Sequence, residues 1–235
     1  SWTYTASDAT ITAKCSQDDA SGGSVTIAAP AELTYNGSGK VAVVTASGDD
    51  WQGPAVSDIS IGYIKMGKYG PEKLENDALP TNAGTYTASI TVGEGENAKT
   101  ASVAYEITKA MPQASDFNIT PPVSPVYDGN RHGAVVAVKD GITGMGEITA
   151  TRYYMSSNAY MDPVKVNRYE VRIDVAEGTN YTAATEVTDG SWTFAIDKGT
   201  QTVHVPAGKT IVKNGKGVDI SGWANVTGVE GGQAT

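Results

Sequence analysis

Asn82-Ala83-Gly84-Thr85-Tyr86-Thr87-Ala88-Ser89-Ile90-Thr91-Val92 reads as a tight corner followed by a strand. Successive side chains of a strand point to opposite sides, so Tyr86, Ala88, Ile90 and Val92 share one face and Thr85, Thr87, Ser89 and Thr91 the other. The first face belongs in a core and the second in water.

Working outward from this strand, the chain restates its surroundings. Pro80 to Tyr86 maps onto Pro163 to Tyr169, 83 residues later, and the core face becomes Tyr169, Val171, Ile173 and Val175. Gly84 maps to Asn167, and both residue types tolerate positive φ, so a positive φ is expected at both corners. Upstream, Val25 through Tyr35-Asn36-Gly37 matches Phe117 through Tyr127-Asp128-Gly129 at a spacing of 92. Asp58 to Met66 matches Glu147 to Met155 at 89, and Val103, Tyr105 and Ile107 match Trp192, Phe194 and Ile196 at 89. Loop insertions absorb the changes in spacing. Ser1-Trp2-Thr3-Tyr4 resembles Ser191-Trp192-Thr193-Phe194, the last strand of a unit, and Val205 precedes Asn214-Gly215 as Ile27 precedes Asn36. The expected organisation is therefore residues 1–22 as the end of a preceding module, 23–110 as module 1, 111–199 as module 2 and 200–235 as the start of a truncated third.

Composition sets the class. In 235 residues, 40% are hydrophobic, enough for real cores, while 27 glycines, threonine-rich alternation and the lack of a helical period predict an all-β chain. Alternation alone does not fix strand order, so mixed-sheet modules of the β-grasp type are the alternative. A net charge of −9 argues against nucleic acid or an anionic membrane surface as partner, since both need a basic footprint. No apolar run of about 18 residues predicts membrane insertion. Cys15 is the only cysteine, so an internal disulfide is excluded.

Asn82-Ala83-Gly84-Thr85-Tyr86-Thr87-Ala88 resembles the Asp-x-Gly-x-Tyr-x-Cys of immunoglobulin domains, with Ala88 at the cysteine position. With Leu33-Thr34-Tyr35-Asn36-Gly37 and Tyr105-Glu106-Ile107-Thr108-Lys109-Ala110, the pattern resembles bacterial immunoglobulin-like repeats of the Tyr-Asp-Gly kind, found in large surface proteins and adhesins, over most of residues 23–199. Lys165-Val166-Asn167-Arg168 departs from it. The resemblance implies tandem immunoglobulin-like β-sandwich modules, a bacterial cell-surface or secreted location, and a non-enzymatic spacer or scaffold role in adhesion, with neighbouring repeats as partners. It implies a corner in which the Tyr86 hydroxyl reaches the backbone.

Catalytic chemistry finds little material. His132 and His204 fall in different units, which leaves a Ser/His/Asp triad or a histidine metal site without its parts. Asp18-Asp19 and Asp49-Asp50 lack calcium-loop spacing and read as solvated turns, and Gly144-Met145-Gly146 lacks the lysine of a phosphate loop. No catalytic, metal or cofactor site is expected. Twelve tyrosines against two phenylalanines favour rings with a polar handle, common at interfaces. Trp51, Tyr153, Tyr154 and Tyr160 form the candidate ligand patch, for a host glycan or protein; one of Tyr153 and Tyr154 must face outward if Arg152 to Met155 is a strand. Rings of intermediate burial are better suited to capping the ends of the two cores. The stripe Arg168, Glu170, Arg172, Asp174 reads as cross-strand pairing and solubility.

Overall fold

The computed structural model describes residues 1–17, 20–47, 50–76, 78–200, 202–204 and 225–227. It is all-β, with antiparallel ladders throughout the named strands. The only helical pieces among the described residues are three-residue turns, so the β-grasp alternative has no helix for a sheet to wrap. Two compact units separate. Unit 1 comprises Ser1–Met111, Ile142–Gly146 and Glu177–Thr182; unit 2 comprises Pro112–Gly141, Glu147–Ala176 and the chain from Ala183.

Unit 1 holds two four-stranded sheets. The first runs β1 (Trp2–Ser7), β2 (Thr10–Cys15), β3 (Ser21–Ala28), β4 (Val43–Ala46) in spatial order. The second contains β5 (Ile61–Gly67), β6 (Gly70–Lys73), β7 (Gly84–Val92) and β8 (Lys99–Ile107), ordered β6-β5-β7-β8. Ile11, Val25 and Ile27 from the first and Tyr63, Tyr86, Ala88, Ile90, Ala101, Tyr105 and Ile107 from the second enclose one core. In β7 the burial alternates without a break, Tyr86, Ala88, Ile90 and Val92 in and Thr85, Thr87, Ser89 and Thr91 out, as the sequence predicts. Ile90 and Val92 each contribute about 1.5–3 kcal/mol by leaving water. The segments 142–146 and 177–182 add the Tyr181 ring, edge-on to Tyr35 at 5.4 Å, and the buried Asn180, whose amide accepts from Ala83 N and donates to Asn82 Oδ1.

Unit 2 contains β9 (Phe117–Thr120) paired with β10 (Val135–Val138), and a sheet in which β12 (Asn167–Val175) pairs β11 (Ile148–Met155) along one edge and β13 (Ala184–Val187) and β14 (Thr193–Ile196) along the other. Its core is aromatic: Phe194 packs on Tyr169 at 5.6 Å and on Tyr153 at 5.9 Å, and Phe117 meets Trp192 at 6.4 Å. Strands β15 (Thr202–His204) and β16 (Asn225–Thr227) pair with each other. Val205, Asn214 and Gly215, on which the third module was predicted, lie outside the described residues, as do Asp18, Asp19 and Asp49.

Several bonds of unit 1 recur in unit 2. The Tyr86 hydroxyl donates to Asn82 O at 2.8 Å and the Tyr169 hydroxyl to Lys165 O at 2.8 Å. Thr34 bridges Thr108 in parallel, as Val126 bridges Asp197. Lys40 N donates to Pro80 O and His132 N to Pro163 O. Ile27 faces Val44 as Ile119 faces Val136, which matches the predicted spacing of 92.

Two expectations are corrected. With Tyr86 and Tyr169 aligned, Tyr63 faces Ala88 and Tyr153 faces Val171, so β5 and β11 correspond at 90 residues, not 89. The hydroxyls of Tyr63 and Tyr153 accept from Ala42 N and Ala134 N, and that shared bond fixes the register; a one-residue slip would turn both rings to the wrong face. Gly84 has φ +147, whereas Asn167 is not among the positive-φ residues. The tyrosine bond closes the corner in either backbone state, and the Asn167 side chain instead accepts from Arg168 N at 2.8 Å.

Candidate functional site

The aromatic residues selected from sequence separate. Trp51 lies in unit 1, half-buried against the core with its ring 6.1 Å from Tyr4 and its Nε1 donating to Pro54 O at 2.9 Å. Tyr153 is 1% exposed and belongs to the unit 2 core. Tyr154, one residue on, must face the other way, and it meets Tyr160 there: the rings lie 6.1 Å apart at 70°, and the two residues form an isolated antiparallel bridge. Tyr160 is 57% exposed.

Charged residues complete this face. Arg172, opposite Arg152 across the β11–β12 ladder, lies 4.2 Å from the centroid of the Tyr154 ring. Its Nε donates to Glu170 Oε1 at 2.7 Å, one terminal nitrogen to Glu186 Oε2 at 3.3 Å and the other to Asn158 Oδ1 at 2.7 Å. The Tyr154 hydroxyl donates to Glu186 Oε1 at 2.8 Å, and this bond to a carboxylate holds the phenol above its ordinary pKa. Arg152 pairs with Asp174, which is buried and also accepts from Glu186 N at 3.0 Å. The hydrogen bond to Glu170 is the main cause that raises the Arg172 pKa above its ordinary value.

The backbone is strained at Glu186, one of the two residues outside β12 that hold this arginine. Asn158 has φ +59 and Glu186 φ +54, a conformation that costs a glutamate roughly 1–2 kcal/mol. Glu186 sits in β13, where the ladder with β12 shifts register between Ile173 and Val175, the kind of bulge that re-aims a side chain.

Beside the network opens a cleft of about 150 Å³, lined by Tyr154, Met155, Ser156, Asn158, Arg168, Glu170 and Thr193. Arg168 is exposed and donates to Thr193 Oγ1 at 2.9 Å; among the described residues it has no carboxylate partner. A groove of about 470 Å³ in unit 1 has a mixed lining, in which Val41, Ile59, Ile61, Leu74 and Leu79 stand beside Lys73, Glu75 and Asn76. Among the described residues, no group of three or more His, Cys, Asp or Glu side chains could hold a metal ion. His132 bonds Asp128 at 2.9 Å.

Sequence reasoning selected Tyr154 and Tyr160 and read Arg168, Glu170, Arg172 and Asp174 as cross-strand pairing and solubility; cross-strand pairs form between Arg152 and Asp174 and between Arg172 and Glu186, while Asn158 and Glu186 were missed as members of the face. A usable signal was present. At the matching positions of unit 1 stand Thr85, Thr87, Ser89 and Thr91, and at those of Arg152 and Tyr154 stand Gly62 and Ile64. Core residues match while this outer face changes from small and neutral to charged and aromatic. No family model, curated protein or solved structure matches the chain.

Proposed function

We propose that the chain is a non-catalytic segment of tandem immunoglobulin-like repeats from a bacterial cell-surface protein, acting extracellularly as spacer and scaffold in adhesion. The observation that carries this reading is the recurrence of the tyrosine-to-backbone bond, Tyr86 to Asn82 and Tyr169 to Lys165, in matching registers. The residues that match are those that shape a corner and fill a core, as a repeated spacer requires.

A second reading, a ligand-binding adhesin module, is favoured by the Tyr154–Tyr160–Arg172 cluster, which unit 1 replaces with Ile64 and Ser89. Both roles fit one chain, with one module as scaffold and the other presenting a face. A glycan and host-protein array probed with the whole chain tests the pure spacer. No retention sensitive to these rings is its expected result. Reproducible retention abolished by Tyr154→Ala or Trp51→Ala overturns it in favour of the adhesin.

A further inference from the structure

The cleft beside Tyr154 has the parts of a site for one small acidic ring. Arg168 presents a planar guanidinium that, among the described residues, is held by a single hydroxyl, Thr193 Oγ1 at 2.9 Å, which leaves donors to offer a bidentate carboxylate. The Tyr154 ring supplies one aromatic wall, and Ser156, Asn158 and Glu170 bring a hydroxyl, an amide and an acceptor to the same rim. Such a mixture of one aromatic wall and several directional polar groups suits a sugar, whose C–H face and hydroxyls need both at once. The volume of about 150 Å³ is below that of a pocket for a drug-sized ligand and takes a single ring, which makes a terminal residue the natural occupant.

Charge narrows the class further. On this face Arg152, Arg168 and Arg172 balance Glu170, Asp174 and Glu186, and among the described residues Arg168 is the one guanidinium of the three outside the carboxylate pairs. The chain carries a net charge of −9, so a dianion such as a phosphate monoester meets repulsion at long range, whereas a monoanion loses less and is matched by one guanidinium. The cleft is also pre-set: Arg172 is fixed by Glu170, Glu186 and Asn158, and Glu186 holds a positive φ that is costly for a glutamate.

We propose that the cleft bounded by Tyr154 and Arg168 binds a carboxylate-bearing sugar ring, the terminal residue of an acidic glycan. The inference rests on the adhesin reading and names its ligand.

Unit 1 supplies the controls, since Thr85 and Ile64 occupy the positions of Arg168 and Tyr154 in the same strand setting. The whole chain, wild type and Arg168→Thr, is titrated with methyl glucuronide and with methyl glucoside while amide shifts are followed by NMR. Glucuronide moves the signals of residues 154–158, 168 and 193, binds at least about tenfold tighter than glucoside and loses about tenfold in Arg168→Thr. Tyr154→Ile weakens both sugars. Equal binding of the two sugars, or glucuronide binding unchanged by Arg168→Thr, overturns the proposal. Array retention by uncharged glycans or by proteins, with glucuronide silent, overturns the acidic-sugar class and leaves the adhesin reading standing. Retention by nothing on the array removes both.

Discussion

The Tyr86 hydroxyl donates to the Asn82 carbonyl at 2.8 Å, and this one bond ties the start of β7 to the corner that delivers it. The ring is 2% exposed, so the hydroxyl reaches the backbone only because the residue is both core filler and latch. Tyr86→Phe keeps the ring and deletes the latch, and Tyr169→Phe does the same to Lys165 in unit 2. Each is expected to destabilise its unit by about 1 kcal/mol, the net worth of one part-buried hydrogen bond. Chemical denaturation with unchanged m-value checks this; no loss in either variant would show that the corner stands on packing alone.

Tyr105 should behave in the opposite way. Its hydroxyl is buried without a hydrogen-bond partner among the described residues, while its ring stacks on Tyr86 at 6.0 Å. At the corresponding place in β14 stands Phe194, paired with Tyr169 as Tyr105 is with Tyr86. Tyr105→Phe removes a desolvated polar group and no bond, so it is expected to leave unit 1 as stable or more stable, by up to about 1 kcal/mol. A lower melting temperature would contradict this.

The same ring makes unit 1 sensitive to alkali. Burial, and then the neighbouring Tyr63 and Tyr86, push the Tyr105 phenol well above its ordinary range; burial raises Tyr63 and Tyr86 as well. A folded-state pKa above the unfolded one means that the unfolded chain ionises first as pH rises. The stabilisation is complete below the ordinary tyrosine pKa of about 10 and is lost as pH climbs from there toward the folded values. Phenolate absorbance is expected to rise cooperatively with unfolding rather than as independent titrations, and Tyr105→Phe should move the alkaline midpoint upward.

Features set by residues that act locally are legible in the sequence, and those set by distant partners are not. Alternation at Tyr86, Ala88, Ile90 and Val92 depends on the two-residue period of a strand, so the core face was legible. The one-residue register of β11 was not, because Arg152, Tyr153 and Tyr154 alternate equally well in either phase and only the bond from Ala134 N to the Tyr153 hydroxyl decides between them. Tyr154 and Tyr160 were legible as rings that needed explaining. Their partners were not: Asn158 and Glu186 reach Arg172 from a turn and a bulge 14 residues to either side, through positive φ values that Asn suggests weakly and Glu not at all.

Gly84 and Asn167 occupy matching corner positions in different backbone states, and substitution should expose the difference. Gly84 has φ +147, and a Cβ there would lie 3.3 Å from Lys65 Cε, the movable end of a side chain. The backbone is therefore the main obstacle, and Gly84→Ala is expected to cost about 1–3 kcal/mol. Asn167→Ala meets no such barrier and loses the side-chain bonds to Arg168 N and Met155, so its cost should stay near 1 kcal/mol or below. Equal losses in the two variants would place the corner's demand in its contacts rather than in φ.

Arg172→Ser installs the residue that unit 1 carries at Ser89 and separates the stability of the outer face from its recognition. The guanidinium is only part-buried and its ion pairs to Glu170 and Glu186 reach solvent, so their loss is expected to change unfolding by no more than about 1 kcal/mol. The cleft changes more. Glu170 and Glu186 lose their shared counter-ion, Tyr154 loses the cation over its ring, and Asn158 loses the donor that holds its amide. An anionic sugar then meets two uncompensated carboxylates beside Arg168. Glucuronide affinity should fall by roughly tenfold or more, a change of about 1.4 kcal/mol in binding with little in folding. Binding that persists at full strength in a folded Arg172→Ser chain would show that the network shapes the surface without serving the cleft.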